Sequence, residues 1–177
     1  EAALQALAQG HEGEGYSMSL NWQANEARKA GAAYKLMDIN DGNARQELSG
    51  FFKQQLFQAP HYITSATLRG GYEKNDLGDY APYFNPKQSY SAEAVLEHDW
   101  ITWRSYDRYF SQHFEAAAGT FKQTGFSGKP IYNLYYQHDW QLSRTWKLNY
   151  GVGWGVHPYD GEDERRTYAV FGFEGRF

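Results

Sequence analysis

Alternation with a period of two runs through most of this chain, and it constrains the fold more than any other feature. Between Tyr16 and Asn25 one phase reads Tyr16, Met18, Leu20, Trp22, Ala24, and the other Ser17, Ser19, Asn21, Gln23, Asn25. Successive side chains point to opposite faces of a strand, whereas a helix would scatter this pattern around its circumference. The pattern returns from Tyr62 to Glu73, with Tyr62, Thr64, Ala66, Leu68, Gly70 and Tyr72 against Ser65, Thr67, Arg69 and Glu73. It returns again as Tyr90, Ala92, Ala94, Leu96 against Ser91, Glu93, Glu97, Asp99. Further on, Trp146, Leu148, Tyr150, Val152, Trp154 and Val156 oppose Lys147, Asn149, Gly151, Gly153, Gly155 and His157.

A soluble sandwich also alternates, so the kind of sheet must be decided by what the two phases carry. The apolar phase places aromatics near strand ends: Trp140 and Trp146 flank one short turn, and Trp100, Trp103, Tyr106 and Tyr109 surround another. Amphipathic rings belong at the headgroup level of a bilayer. The polar phase, rich in Asn, Gln, Ser, Glu and Gly, suits a wet interior. Mean hydropathy is −0.78, and no run approaches the ~18 apolar residues of a spanning helix, which excludes a helical membrane protein. It does not exclude a barrel, in which alternate residues alone face lipid. Aromatic residues are 18% of the chain, with 15 Tyr, as girdles on both rims require. The net charge of −4 argues against nucleic acid as a partner, and the absence of cysteine removes disulfides and thiolate metal sites.

The expected fold is all-β, an antiparallel transmembrane barrel of the outer-membrane type with nine or ten strands in this chain. Nine are expected, near 15–25, 30–39, 44–57, 61–74, 88–101, 106–122, 130–140, 144–157 and 165–177. Gln58-Ala59-Pro60 and Gln141 to Arg144 read as tight periplasmic turns, Asn75 to Lys87 and His157 to Glu164 as long outer loops. Asn40-Asp41-Gly42-Asn43 reads as a hairpin turn. If residue 177 lies on the periplasmic side, counting back starts the first strand outside the cell. Bacterial barrels of one chain normally hold an even number of strands with both ends periplasmic. A strand before residue 15 is therefore expected: either residues 1–12 supply it, or the chain is part of a larger barrel. Glu1 to Gln9 favours helix by propensity, so residues 1–13 are read as a linker or the end of a preceding element, and 14–177 as barrel.

The last residues, Phe171-Gly172-Phe173-Glu174-Gly175-Arg176-Phe177, put aromatics on one face of a terminal strand. This resembles the signal that presents outer-membrane barrels to their assembly machinery, although Gly175 stands where a bulky residue is usual. Tyr83-Phe84-Asn85-Pro86-Lys87 and His157-Pro158-Tyr159-Asp160-Gly161 resemble loops of the exopolysaccharide-secretion porins. On these stretches, which cover about residues 80–177, the chain resembles the C-terminal barrel of the poly-N-acetylglucosamine export porin family (PgaA-like). Its relatives are the cellulose- and Pel-secretion porins and the phage-adsorption protein NfrA. The resemblance implies an exported poly-β-1,6-N-acetylglucosamine, partly de-N-acetylated and so partly cationic, moved during biofilm matrix secretion. It also implies periplasmic secretion partners.

If the apolar phase meets lipid, the opposite phase lines the interior. There Glu93, Glu97, Asp99, Glu115, Asp139 and Glu174 would create a negative potential, against fewer cations in Arg69, Lys147 and Arg176. Tyr135, with Phe121, adds sugar-stacking surface to this polymer path. The plainer alternative is that the acids pair with Arg and Lys across strands and fill a solvated interior.

Catalysis has one candidate. Ser111, His113 and Glu115 share a strand face, but same-face neighbours lie about 7 Å apart, too far for a direct Ser–His hydrogen bond. Neither Gly-x-Ser-x-Gly nor His-Glu-x-x-His occurs. His61, His98 and His138 fall near strand ends, where interfacial hydrogen bonding is the ordinary role. Asp38, Asn40 and Asp41 read as turn chemistry rather than a calcium loop. The reading is thus an outer-membrane porin with neither enzymatic activity nor cofactor, which passes an exopolysaccharide through an acidic lumen. The alternative is a small barrel serving as a surface receptor or adhesin, working through the loops at 75–87 and 157–164.

Overall fold

The computed structural model describes residues 13–77, 86–159 and 161–176. Residues 1–12, on which the N-terminal linker or strand was expected, lie outside the described residues, as does the terminal Phe177. Nine strands form one antiparallel meander: β1 (Gly13–Asn25), β2 (Arg28–Ile39), β3 (Ala44–Ala59), β4 (Tyr62–Asn75), β5 (Gln88–Ser105), β6 (Arg108–Gln123), β7 (Lys129–Gln141), β8 (Trp146–Tyr159) and β9 (Glu162–Gly175). Every strand pairs with its neighbour in sequence, and among the described residues β1 and β9 each carry one ladder only. No helix among the described residues is long and apolar enough to cross a membrane.

The two faces of this single layer differ in what they bury. Ser65, Thr67, Ser89, Val95, Ala117, Phe121, Gln123 and Ile131 are buried, and register places all eight on one face. A lone sheet buries side chains only where curvature crowds them, so this is the concave, inner face. On the same face Lys53 of β3 reaches over β4 to Glu97 of β5 at 2.7 Å, a bridge that a convex surface would pull apart. The convex face leaves large apolar side chains exposed: Met18 at 74%, Leu20 at 72%, Leu68 at 61%, Phe171 at 76%. In water such a band would aggregate. In a bilayer it is the surface that must face lipid.

The strands are 12 to 18 residues long, more than the ~9–11 that a tilted strand needs to cross the hydrocarbon. At one rim the connections are short: Glu26-Ala27, Pro60-His61, Tyr106-Asp107 and 142–145. At the other lie 40–43, 76–87 and 124–128. One loop differs from expectation. The stretch His157 to Glu164 is a tight hairpin, because β8 continues through Pro158 to Tyr159, β9 begins at Glu162, and Gly161 takes the left-handed φ of 80° that closes the turn. The 40–43 turn forms as expected, with Gly42 at φ 87° and the Asn43 amide donating to Asp41 Oδ1.

Three bulges gather toward the short-turn rim, between Gln23 and Asn25, Gln55 and Phe57, and Ile101 and Trp103. Each reverses the phase of its strand. The last explains how Trp100 and Trp103, three apart, both point outward, while Tyr109, expected with them, falls on the inner face. The outer girdle at this rim is tied by histidines. His138 bonds the hydroxyls of Tyr150 at 2.9 Å and Tyr136 at 2.8 Å and lies edge-on to Phe110. His98 bonds Thr64 at 2.8 Å and stacks on Tyr62.

Candidate functional site: the inner face of the sheet

Register carries all the expected interior residues to the concave face. Glu93, Glu97 and Asp99 follow one another along β5, Glu115 faces Glu97 from β6, and Tyr135 faces Glu115 from β7. Asp139 lies further along β7, opposite Ser111 of β6, and Glu174 of β9 faces Lys147 of β8. Alternation on five strands thus converges on one surface.

Their surroundings separate them into two groups. Glu97 accepts from Lys53 at 2.7 Å and from the Thr67 hydroxyl at 3.2 Å, and Asp99 accepts from His113 at 2.7 Å. Gln137 donates to Asp139 at 2.8 Å, and Arg176 pairs with Glu174 at 2.7 Å. Of these four only Glu97 meets a lysine across strands; Asp99 takes a histidine, Asp139 an amide of its own strand and Glu174 an arginine two residues on. Among the described residues no hydrogen bond or ion pair reaches Glu93 or Glu115. Glu93 sits beside Arg69 in register without bonding it.

The interior also holds cations that the alternation alone did not reveal. Lys29 and Lys35 of β2, Arg45 and Lys53 of β3 and Arg166 of β9 share the inner face with Arg69 and Lys147. β2 hides its phase in the sequence, because Ala30, Gly31, Ala32 and Ala33 are small on both faces. Only pairing with β1 and β3 decides which way its lysines point. The long-loop rim is braced on this face by Arg45, 2.8 Å from Glu47 and 2.9 Å from Glu73. Buried Asn43 accepts the backbone amides of Asp76 and Leu77, and buried Asn75 donates to Glu73 and to the Pro86 carbonyl, which pins the stem of the 76–87 loop to the 40–43 turn.

The Ser111, His113, Glu115 trio does not assemble. His113 Nδ1 is taken by Asp99, its ring leans on Tyr135 at 6.2 Å, and no hydrogen bond joins it to Ser111 among the described residues. Nor do three or more His, Asp or Glu side chains converge as metal ligands among those residues.

Comparison with known proteins bears on the fold and the family. The family model described as the PgaA membrane beta barrel domain matches residues 1–177. The poly-beta-1,6-N-acetyl-D-glucosamine export proteins of Escherichia coli K12 and O157:H7 are each 28% identical over 174 residues, covering 98% of this chain and 21% of theirs. A solved bacterial polysaccharide outer membrane secretin superposes with a TM-score of 0.91 at 28% identity, covering 98% of this chain and 60% of that one. The chain thus spans about a fifth of its curated relatives' length. With an all-strand meander, an apolar convex surface and a whole-length family match, the chain belongs to the PgaA membrane β-barrel domain family of the bacterial outer membrane.

Proposed function

We propose that this chain forms wall of an outer-membrane porin that exports a poly-β-1,6-N-acetylglucosamine-type exopolysaccharide during biofilm matrix secretion. Strands β1 to β9 are part of its wall, and the barrel is larger than these nine strands. Transport of this kind is passive and needs no bond chemistry and no cofactor. The observation that carries the reading is Glu93 and Glu115, two carboxylates that no hydrogen bond or ion pair reaches among the described residues, set among Glu97, Asp99 and Asp139 on one curved wall. Carboxylates inside a narrow wet passage raise the local concentration of cations, here the free amines of a partly deacetylated polymer. The names of the curated relatives support the polymer's identity. Lipid contacts the convex face, the barrel-assembly machinery takes up the last strand, β9, and periplasmic partners deliver the polymer.

The test is to replace Glu93, Glu97 and Glu115 together by Gln in the full-length protein and to measure polymer released by cells. Release falls well below wild type while the protein remains in the outer membrane. Unchanged release would sink the acidic path. The surface-receptor alternative keeps only the 76–87 loop as its working part, since 157–164 is a tight hairpin.

A further inference from the structure

Two tyrosines lie nearly parallel on a floor of glycines on the inner face of β7–β9. β8 turns Gly151, Gly153 and Gly155 inward in succession. A Cβ at Gly153 would stand 2.2 Å from the Tyr168 ring, and one at Gly151 would stand 3.0 Å from the Tyr135 hydroxyl. The rings of Tyr135 and Tyr168 are 6.0 Å apart with 14° between their planes. Tyr135 is held by its hydroxyl to Gln137, which is bonded in turn to Asp139. Arg166 places its guanidinium 5.7 Å from the centre of the Tyr168 ring. Beside Tyr168 opens a cavity of about 430 Å³ lined also by Glu93, Asn133, Glu164 and Arg166.

Outward-facing aromatics are explained by the bilayer, but inward-facing ones are not. The missing side chains of β8 give the rings room to lie down rather than stand into the lumen, so each presents a face instead of an edge. A pyranose ring has the matching shape: its axial C–H bonds make an apolar face, and its hydroxyl, amino and acetamido groups radiate from the rim. We propose that Tyr168, extended by Tyr135, is a stacking subsite for one pyranose unit of the exported polymer. Glu93 and Glu164 accept from the sugar's hydroxyls or ammonium, and Asn133 and Arg166 donate to its hydroxyl or acetamido oxygens. The subsite rests on the export reading and gives the passage a grip that does not depend on charge. A neutral, fully acetylated stretch of polymer, which carboxylates alone would not hold, is held here by the ring face.

The experiment is ion conductance through the full-length protein in planar bilayers, with block by a fully acetylated β-1,6-N-acetylglucosamine oligomer and by its deacetylated counterpart. Tyr168→Ala weakens block by the acetylated oligomer about five- to tenfold, as loss of one aromatic stacking partner implies. The loss persists in high salt, where charge attraction is screened. Tyr168→Trp restores the block, and Gly153→Ala, which displaces the ring without removing it, reproduces the loss. Equal block by wild type and Tyr168→Ala would overturn the subsite and leave the export reading standing. A loss that vanishes in high salt or that Trp fails to restore would also overturn it. Absence of block of the wild type by either oligomer would remove the export reading and the subsite together.

Discussion

Lys29, Lys35, Arg45, Lys53 and Arg69 face inward from β2–β4, alongside Glu47 and Glu73. Across the next ladder β5–β7 turn inward Glu93, Glu97, Asp99, Glu115 and Asp139, and the cations on that phase, Arg104 and Lys129, stand at the two rims. One wall is thus mostly basic and the adjoining wall acidic, and Lys53–Glu97 is the seam between them. The convex faces of the same strands show no such contrast, with Leu48, Phe52 and Leu68 on one half and Leu96, Phe114 and Leu134 on the other. Lipid demands the same of every strand, whereas the lumen permits a pattern. Where a barrel of this type differs around its circumference, the difference belongs to its interior.

The largest effect tests the uniform side of that comparison. Leu68→Arg in the basic half and Leu134→Arg in the acidic half both place a cation on the lipid face. Each costs about 2–4 kcal/mol of folding free energy if its site lies near the bilayer midplane. Refolding into lipid vesicles along a urea gradient, read by the heat-sensitive shift in gel mobility, measures both. A cost at one site and none at the other would mean that part of the convex face is covered by something other than lipid.

How far the sequence alone reaches follows from the same physics. A side-chain period of two is a local property, so the nine strands, their outer faces and the interior positions of Glu93, Glu115 and Tyr135 were legible. What failed depended on neighbours. The phase of β2 is silent in Ala30 to Ala33 and is set by register with β3. Trp103 is carried outward by a bulge that no dipeptide marks. The inward place of Tyr168 is masked by Phe171 and Phe173, which mark the opposite phase of β9, and its signal lies on another strand, in the inward Gly151-x-Gly153-x-Gly155 run. The stretch 157–164 carries loop chemistry in Pro158, Gly161 and its charged residues, and only the pairing of β8 with β9 through Tyr159 and Glu162 makes it strand.

Selectivity measures the patterned side directly. With the full-length protein in planar bilayers under a salt gradient, the triple replacement of Glu93, Glu97 and Glu115 by Gln lowers cation-over-anion permeability several-fold. Replacing Lys29 and Arg69 by Gln raises it, since neither is engaged in an ion pair among the described residues. Reversal potentials that move the same way for both variants would mean that the two walls do not act on one shared passage.

The seam is worth less. Lys53 and Glu97 are 37% and 15% exposed, close in space but wetted by the lumen. A double-mutant cycle with Lys53→Met and Glu97→Gln gives a coupling near the upper end of surface pairs, about 1 kcal/mol, read from urea midpoints. Zero coupling would show that the two walls meet without holding each other.

The smallest effect lies at the short-turn rim of the acidic half, where Arg144 in the 142–145 turn pairs with Asp107 of the β5–β6 turn at 2.7 Å. The hydrogen bond from Arg144 holds the Asp107 carboxyl below the usual carboxylate range, with a backbone hydrogen bond adding to it. A carboxyl whose folded-state pKa is depressed stabilises the fold above its ordinary pKa, and the contribution fades as pH falls through the lowered value. Asp107 is exposed, however, and such a pair contributes little to stability. Arg144→Ala therefore returns the Asp107 titration toward the ordinary carboxylate value, as followed by its side-chain carboxyl carbon resonance in detergent micelles, and leaves the urea midpoint at neutral pH unchanged. A clear fall in that midpoint would mean that the two turns clasp the acidic wall from below, and that the contrast between the halves extends from charge to stability.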